Sequence, residues 1–266
     1  MALLSMNETT TFRWSFEEDV DHYCRAGIPA MGVWRQKLSD FGEEKGIDLL
    51  AESGLKASHL FWAGGFTGSD GRSFRSSVED AAEALRTAAA MGAQSLIVHS
   101  GSRAGHTYSH ARRLFRDALI ELAPLAAEVG VLLALEPMHA GCSADFTFLN
   151  SIDDTFNLLN AVGHSQVRMV LDTYHLGFDA GLVPRIVELV PRLAIVQLGD
   201  GENPPKGEQD RCLLGRGSIP LKEIVRALAE AGYDGYYDVE LLGENLEAID
   251  YPSLLDHAKR AFAELL

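Results

Sequence analysis

The sequence predicts an α/β chain folded as one (β/α)8 (TIM) barrel, and three observations carry that prediction. The length, 266 residues, is close to the roughly 250 typical of that architecture. Eight short apolar or β-branched runs alternate with longer amphipathic stretches from one end to the other. No Pro/Ser-rich linker, low-complexity tract or internal repeat divides the chain, so residues 1–266 are expected to form a single domain.

The runs lie near Ala2–Met6, Ala30–Val33, Ala57–Phe61, Ser95–Val98, Val131–Leu135, Val167–Leu171, Leu193–Leu198 and Tyr236–Leu241. Between them, segments such as SVEDAAEALRTAAAMGA and PLKEIVRALAEAGYDG repeat apolar residues at helical spacing and close on glycine. Strands separated by single helices imply a parallel sheet, and eight such units close into a barrel. The longest stretch without periodicity, GDGENPPKGEQDRCLLGRGSIP, follows the seventh run and is expected to be an active-site loop.

Composition removes several function classes. There are 38 acidic residues against 23 basic ones, a formal charge of -15, and no block of Lys and Arg stands out. Phosphate-backbone binding needs a basic footprint, so nucleic acid is not an expected partner. Cys24, Cys142 and Cys212 are scattered, odd in number and not in CxxC spacing, which fits a reducing compartment better than a disulfide framework. MALLSMNETTTF lacks a positive flank and a long apolar core, and no run approaches the roughly 20 residues of a membrane helix. A cytoplasmic chain without membrane partners is the expectation.

Reactive residues of a β/α barrel sit where the strands finish. Here the fourth run ends with His99, the fifth with Glu136, the sixth with Asp172 and His175, the seventh with Gln197 and Asp200, and the eighth with Glu240. One polar residue at a strand end means little; five adjacent strands each presenting a metal-type ligand at one rim is hard to assign to strand termination. Side chains alternate along a strand, so an inward Glu136 brings Ala134 and Leu132 inward too. Asp172 and His175 are three apart, so the chain must leave the strand near Thr173 if both are to reach one site. Glu136, Asp172, Gln197 and Glu240 form a hard, oxygen-rich set suited to one Mn²⁺ or Mg²⁺, with Co²⁺ and Zn²⁺ as further fits.

The segments LEPMH, LDTYH, VQLGD, RCLLGRGSI and DVELLG, with AGIPAMGVWR near the N-terminus, resemble in order and spacing the sugar phosphate isomerase/epimerase group of xylose-isomerase-like barrels. That group includes hydroxypyruvate isomerases, ketose 3-epimerases, inosose dehydratases and endonuclease IV. Many members carry His on the seventh strand, whereas this chain has Gln197, as hydroxypyruvate-isomerase-like members also do. The endonuclease branch holds three zinc ions with further histidines. Cys212 stands where that branch has His, and the third strand ends FWAGG without one, which argues against a trinuclear site.

The resemblance implies Glu136 and Glu240 as the acid/base pair beside a metal-polarised carbonyl, with Asp172 and Gln197 holding the ion. It also implies Arg211 and His175 as contacts to substrate oxygens, and a nearby cation suits three carboxylates on Coulomb grounds. His99 is expected to support Glu136 through a hydrogen bond. His139 either touches substrate or lies in a solvated loop. Trp14, Trp34 and Trp62 could wall the apolar face of a sugar, with core packing the alternative for at least one. Gly215 and Gly217 are read as turn residues ahead of a phosphate site, and HTYSHARR as an exposed helix start.

The expected activity is isomerisation or epimerisation of a small ketose, sugar phosphate or hydroxy-ketoacid. A metal-dependent dehydratase and a non-catalytic sugar-binding barrel are the alternatives. Homodimers or homotetramers are common in the family.

Overall fold

The computed structural model describes residues 2–266. Eight parallel strands close into a barrel in chain order: β1 Leu3–Asn7, β2 Ala30–Trp34, β3 Lys56–Gly64, β4 Ser95–His99, β5 Leu132–Leu135, β6 Val167–Asp172, β7 Leu193–Leu198 and β8 Tyr236–Val239. Every predicted run is a strand. The seam is closed by β1 and β8, where Leu3 pairs with Tyr236 and Ser5 with Asp238.

Around the sheet lie α1 Phe16–Arg25, α2 Arg35–Phe41, α3 Glu43–Ser53, α4 Phe74–Ala90, α5 Tyr108–Val129, α6 Ile152–Val162, α7 Thr173–Leu176, α8 Leu182–Leu189, α9 Leu221–Glu230 and α10 Tyr251–Leu265. Their starts are written in the sequence. Ser15 and Glu18 form a capping box on α1, Ser73 caps α4, and Thr107 caps α5 within HTYSHARR. Among the described residues no helix is long and apolar enough to cross a membrane.

Strand alternation divides the core. Outward residues such as Leu60, Leu96, Leu133 and Leu171 pack under the helices, each contributing about 1.5–3 kcal/mol on burial. Inward residues Phe61, Ile97, Ala134, Val170 and Ile195 fill the barrel, with Leu132 against them. The expected inward column below Glu136 is therefore present. A polar layer also crosses the interior, where Asp238 accepts from Ser5 Oγ at 2.6 Å and from Asn7 Nδ2 at 2.8 Å. With the lower barrel packed, a ligand can enter only from the end where the strands finish.

β3 runs longer than its apolar core because its pairing with β4 slips: Phe61 faces Ile97 and Ala63 faces Val98, leaving Trp62 as an extra residue. Such a bulge re-aims a side chain. The segment after β7 contains no helix until α9, as its lack of periodicity predicts.

Candidate active site

The strand ends bring five of the expected residues to one rim. His99 is the last residue of β4, Glu136 follows β5, Asp172 ends β6, Gln197 lies in β7 and Glu240 follows β8. All are buried. Glu136, Gln197, Glu240 and His99 line a cavity of about 390 Å³, whose walls include Asn7, Trp34, Phe61, Trp62 and Phe146.

Asp172 does two jobs. Its Oδ1 accepts from Tyr174 N at 2.7 Å, which caps α7 and turns the chain out of the strand at Thr173. That turn swings His175 back, so its Nε2 lies 3.7 Å from Glu136 Oε1 and 3.9 Å from Asp172 Oδ2. Cys142 Sγ, 3.7 Å from His175 Nδ1, fixes the other side of the ring.

Arg211, only 1% exposed, arrives from the loop between β7 and α9. Its Nη2 lies 2.8 Å from Asp172 Oδ2 and 3.4 Å from Glu240 Oε1, so one guanidinium bridges two carboxylates. Gln209 Oε1 accepts from Arg211 Nη2 at 2.9 Å, and the Tyr174 ring sits 4.7 Å beneath the guanidinium carbon. Glycine is required at position 199, where a Cβ would lie 2.3 Å from Arg211 Nη1. A buried charge of this kind is tolerated only when paired.

Electrostatics separate the acids. Burial alone would raise Glu136, but the hydrogen bond from His99 Nε2 at 2.7 Å, with the fields of His99, His175 and Arg211, brings it down to about 2. Burial pushes Glu240 up to about 8, with Arg211 opposing and Asp172 and Glu136 adding. His175 is lowered to about 4, chiefly by burial. Burial works against the Arg211 charge as well, but Asp172 and Glu240 overcome it and the guanidinium stays protonated.

The donor set suits a divalent cation. Glu136, Asp172 and His175 offer ligand atoms within 4.8 Å of one another, and Gln197 Nε2 is spent on Glu240 Oε2 at 2.9 Å. Among the described residues, the buried Gln197 Oε1 and His175 Nε2 have no hydrogen-bond partner. An unpaired amide oxygen beside three carboxylates is what a hard ion needs. His175, expected at the substrate, thus lies among the ligand-type atoms.

Other expected residues sit elsewhere. Trp14 stacks on His22, ring centres 4.2 Å apart, away from the cavity wall. His139 Nδ1 accepts from Gly141 N in the loop after Glu136 and does not line the cavity. Asp200 turns away from the rim to hold its own loop, accepting from Gly215 N at 2.9 Å and Gly217 N at 3.0 Å. Those amides are spent on a carboxylate, which is the turn role. Tyr174, Gln209 and Cys142 had no role in the sequence reading, although Tyr174 lies inside LDTYH.

Comparison with known proteins places this geometry. A family model described as a xylose isomerase-like TIM barrel matches residues 24–264. A protein of Streptomyces coelicolor provisionally named a hydroxypyruvate isomerase is 26% identical over 238 residues, covering 81% of each chain. A D-psicose 3-epimerase of Enterocloster bolteae is 30% identical over 118 residues, 44% of this chain and 36% of its own. The crystal structure of an IOLI protein with a binding zinc atom superposes with a TM-score of 0.85 at 21% identity, covering 99% of this chain and 97% of that one.

Proposed function

The chain belongs to the xylose isomerase-like TIM barrel family, and from that premise we propose that it is a divalent-metal-dependent isomerase or epimerase of a small ketose, sugar phosphate or hydroxy-ketoacid. The observation that carries the reading is the pair Glu136 and Glu240 lining one cavity, with Asp172 and Gln197 on the strands between them. Proton abstraction beside a carbonyl and its return elsewhere needs two such groups within reach of one substrate.

Glu136 and Asp172 would hold the ion with Gln197 and Glu240 from the next two strands, and His175, whose ligand atom lies within 4.8 Å of those of Glu136 and Asp172, would join them. When bound, a divalent cation supplies Lewis-acid polarisation of the substrate carbonyl. Glu136 and Glu240 take and return the proton. His99 holds Glu136 in place through its 2.7 Å hydrogen bond. Arg211 does not line the cavity; its permanent positive charge acts through Asp172 and Glu240, which its guanidinium bridges. Trp34, Phe61 and Phe146 give the cavity an apolar wall for the carbon face of the substrate.

The test is elemental analysis of Mn²⁺-reconstituted wild type beside Glu136→Gln and Asp172→Asn. About one ion per chain, lost in both variants, is expected for an open catalytic metal. Glu240→Gln should fold normally by circular dichroism and lower turnover of ketoses by at least about 100-fold. No tight metal in wild type, or turnover unchanged by Glu240→Gln, would end the reading; a product one water lighter would make the enzyme a dehydratase.

A further inference from the structure

The barrel mouth holds a second cavity, about 570 Å³, beside the inner one of about 390 Å³. Trp34, Phe61, Trp62, His99 and Phe146 form a common wall. Small-molecule sites span roughly 300–1,000 Å³, so the inner cavity suffices for a small ketose and leaves the outer one without an occupant.

Two walls of the outer cavity have complementary chemistry. One is Trp62, which the bulge in β3 turns out at the rim and which is 39% exposed in a strand otherwise buried after Lys56. The indole is fixed from three sides, its ring centre 5.8 Å from His99, 6.2 Å from Phe146 and 6.3 Å from Phe61. A large aromatic held rigid with a free face is a platform for a flat apolar surface.

The facing wall is polar and already ordered. Asp70 Oδ2 accepts from Arg72 Nε at 2.7 Å, Asp80 Oδ2 lies 2.9 Å from Arg72 Nη1, and Asp80 Oδ1 lies 2.9 Å from Arg35 Nη1. Arg72 Nη2 also donates to Gly64 O at 2.9 Å, tying the network to the end of β3. Only glycine fits at position 65, with φ at +78° and Asp70 Oδ2 2.4 Å from where a Cβ would stand. Two arginines face Asp70, Asp80, Glu43 and Asp145 here, a formal excess of two negative charges. An anion such as phosphate is repelled, whereas hydroxyls can both give and accept hydrogen bonds along such a network.

We propose that the outer cavity is a subsite for a neutral second sugar ring, stacked on Trp62 and hydrogen-bonded along the Arg35–Asp80–Arg72–Asp70 network. The substrate is then a glycosylated ketose, its ketose unit over Glu136 and Glu240; this rests on the ketose reading above.

The experiment is calorimetric binding to the Mn²⁺-loaded full chain. The probes are D-fructose and D-psicose against the neutral ketose disaccharides maltulose, isomaltulose and lactulose. At least one disaccharide should bind about tenfold tighter than the free ketoses, the scale of one stacked ring with its buried area. Trp62→Ala, and independently Asp70→Ala at the exposed end of the polar network, should bring that ratio toward one. Ketoses that bind with no disaccharide advantage, or an advantage untouched in both variants, would overturn the subsite and leave the ketose reading standing. If no ketose of either size binds, the ketose reading falls and the subsite falls with it.

Discussion

Glu8 and Glu136 are both buried glutamates just past strand ends, and their surroundings treat them in opposite ways. Glu136 has His99 at 2.7 Å and is held well below the usual range. Glu8 Oε2 accepts from Trp34 N at 2.5 Å, Oε1 has no partner among the described residues, and burial with the nearby Asp19 charge holds its carboxyl well above the usual range. The fold thus keeps a proton that the unfolded chain releases. That contribution to stability is full below the ordinary glutamate range and is lost as pH rises through the raised value. Glu8→Gln keeps an acceptor for Trp34 and removes the cost of the charge. Scanning calorimetry should show the variant more stable than wild type at pH 8 by about 1 kcal/mol, with the gain shrinking toward pH 4; an equal difference at both pH values would contradict the account. Which of two such glutamates serves a site is legible only from partners. Glu136 could be picked out because four neighbouring strands also end in ligand-type residues, and His99 was expected to support it. Cys142 and Gln209 carry no such signal, because their roles come from loops folding back onto His175 and Arg211.

Strands were the most legible elements, since each is a short apolar run between turn residues and each run became a strand. The departure of the chain at Thr173 followed from spacing once Asp172 and His175 were both expected at one site, because one face of a continuing strand cannot hold both. The bulge at Trp62 did not follow, because register depends on the partner strand, and the apolar run gives no sign of an extra residue. The loop between β7 and α9 was expected at the site from its length. What the sequence could not tell was its organiser, Asp200, which looks like one more rim ligand. Asp200 accepts from Gly215 N, Gly217 N and Ile219 N, and that scaffold carries Arg211. Asp200→Ala leaves these amides unpaired, at about 1–3 kcal/mol for each one kept from water. Limited proteolysis should then cut within residues 201–219 while the barrel stays intact, and turnover should fall with the loss of Arg211 placement. A wild-type cleavage pattern and thermal midpoint would remove Asp200 from this role.

Across the whole molecule, formal charge is -15, and the rim concentrates three carboxylates against one arginine. On the proposed reading, cation binding couples to global stability. At a hundredfold excess over Kd, Mn²⁺ should add about 2.7 kcal/mol, which is roughly 5–10 °C in midpoint for a chain of this size. Burial pushes Glu240 up to about 8, so on the same reading a cation that takes Glu240 as a ligand displaces its proton. Mn²⁺ affinity should rise by up to about tenfold per pH unit between pH 6 and 8, and the thermal shift at a fixed Mn²⁺ concentration should be larger at pH 8 than at pH 6. Equal shifts at the two pH values would mean that Glu240 gives up no proton on loading.

The seam between β1 and β8 sets when all this becomes possible. Ser5 and Asp238, hydrogen-bonded across it, are 233 residues apart in sequence, and closing a loop of that length costs roughly 5 kcal/mol in chain entropy. β1 can pair with β2 as soon as both are made, but its other edge stays open until β8 exists. Glu240, one residue beyond β8, is translated last of the rim residues. A chain that has made seven strands carries His99, Glu136, Asp172 and Gln197 but lacks Glu240 and the closing seam, so the rim is complete only when the ring shuts.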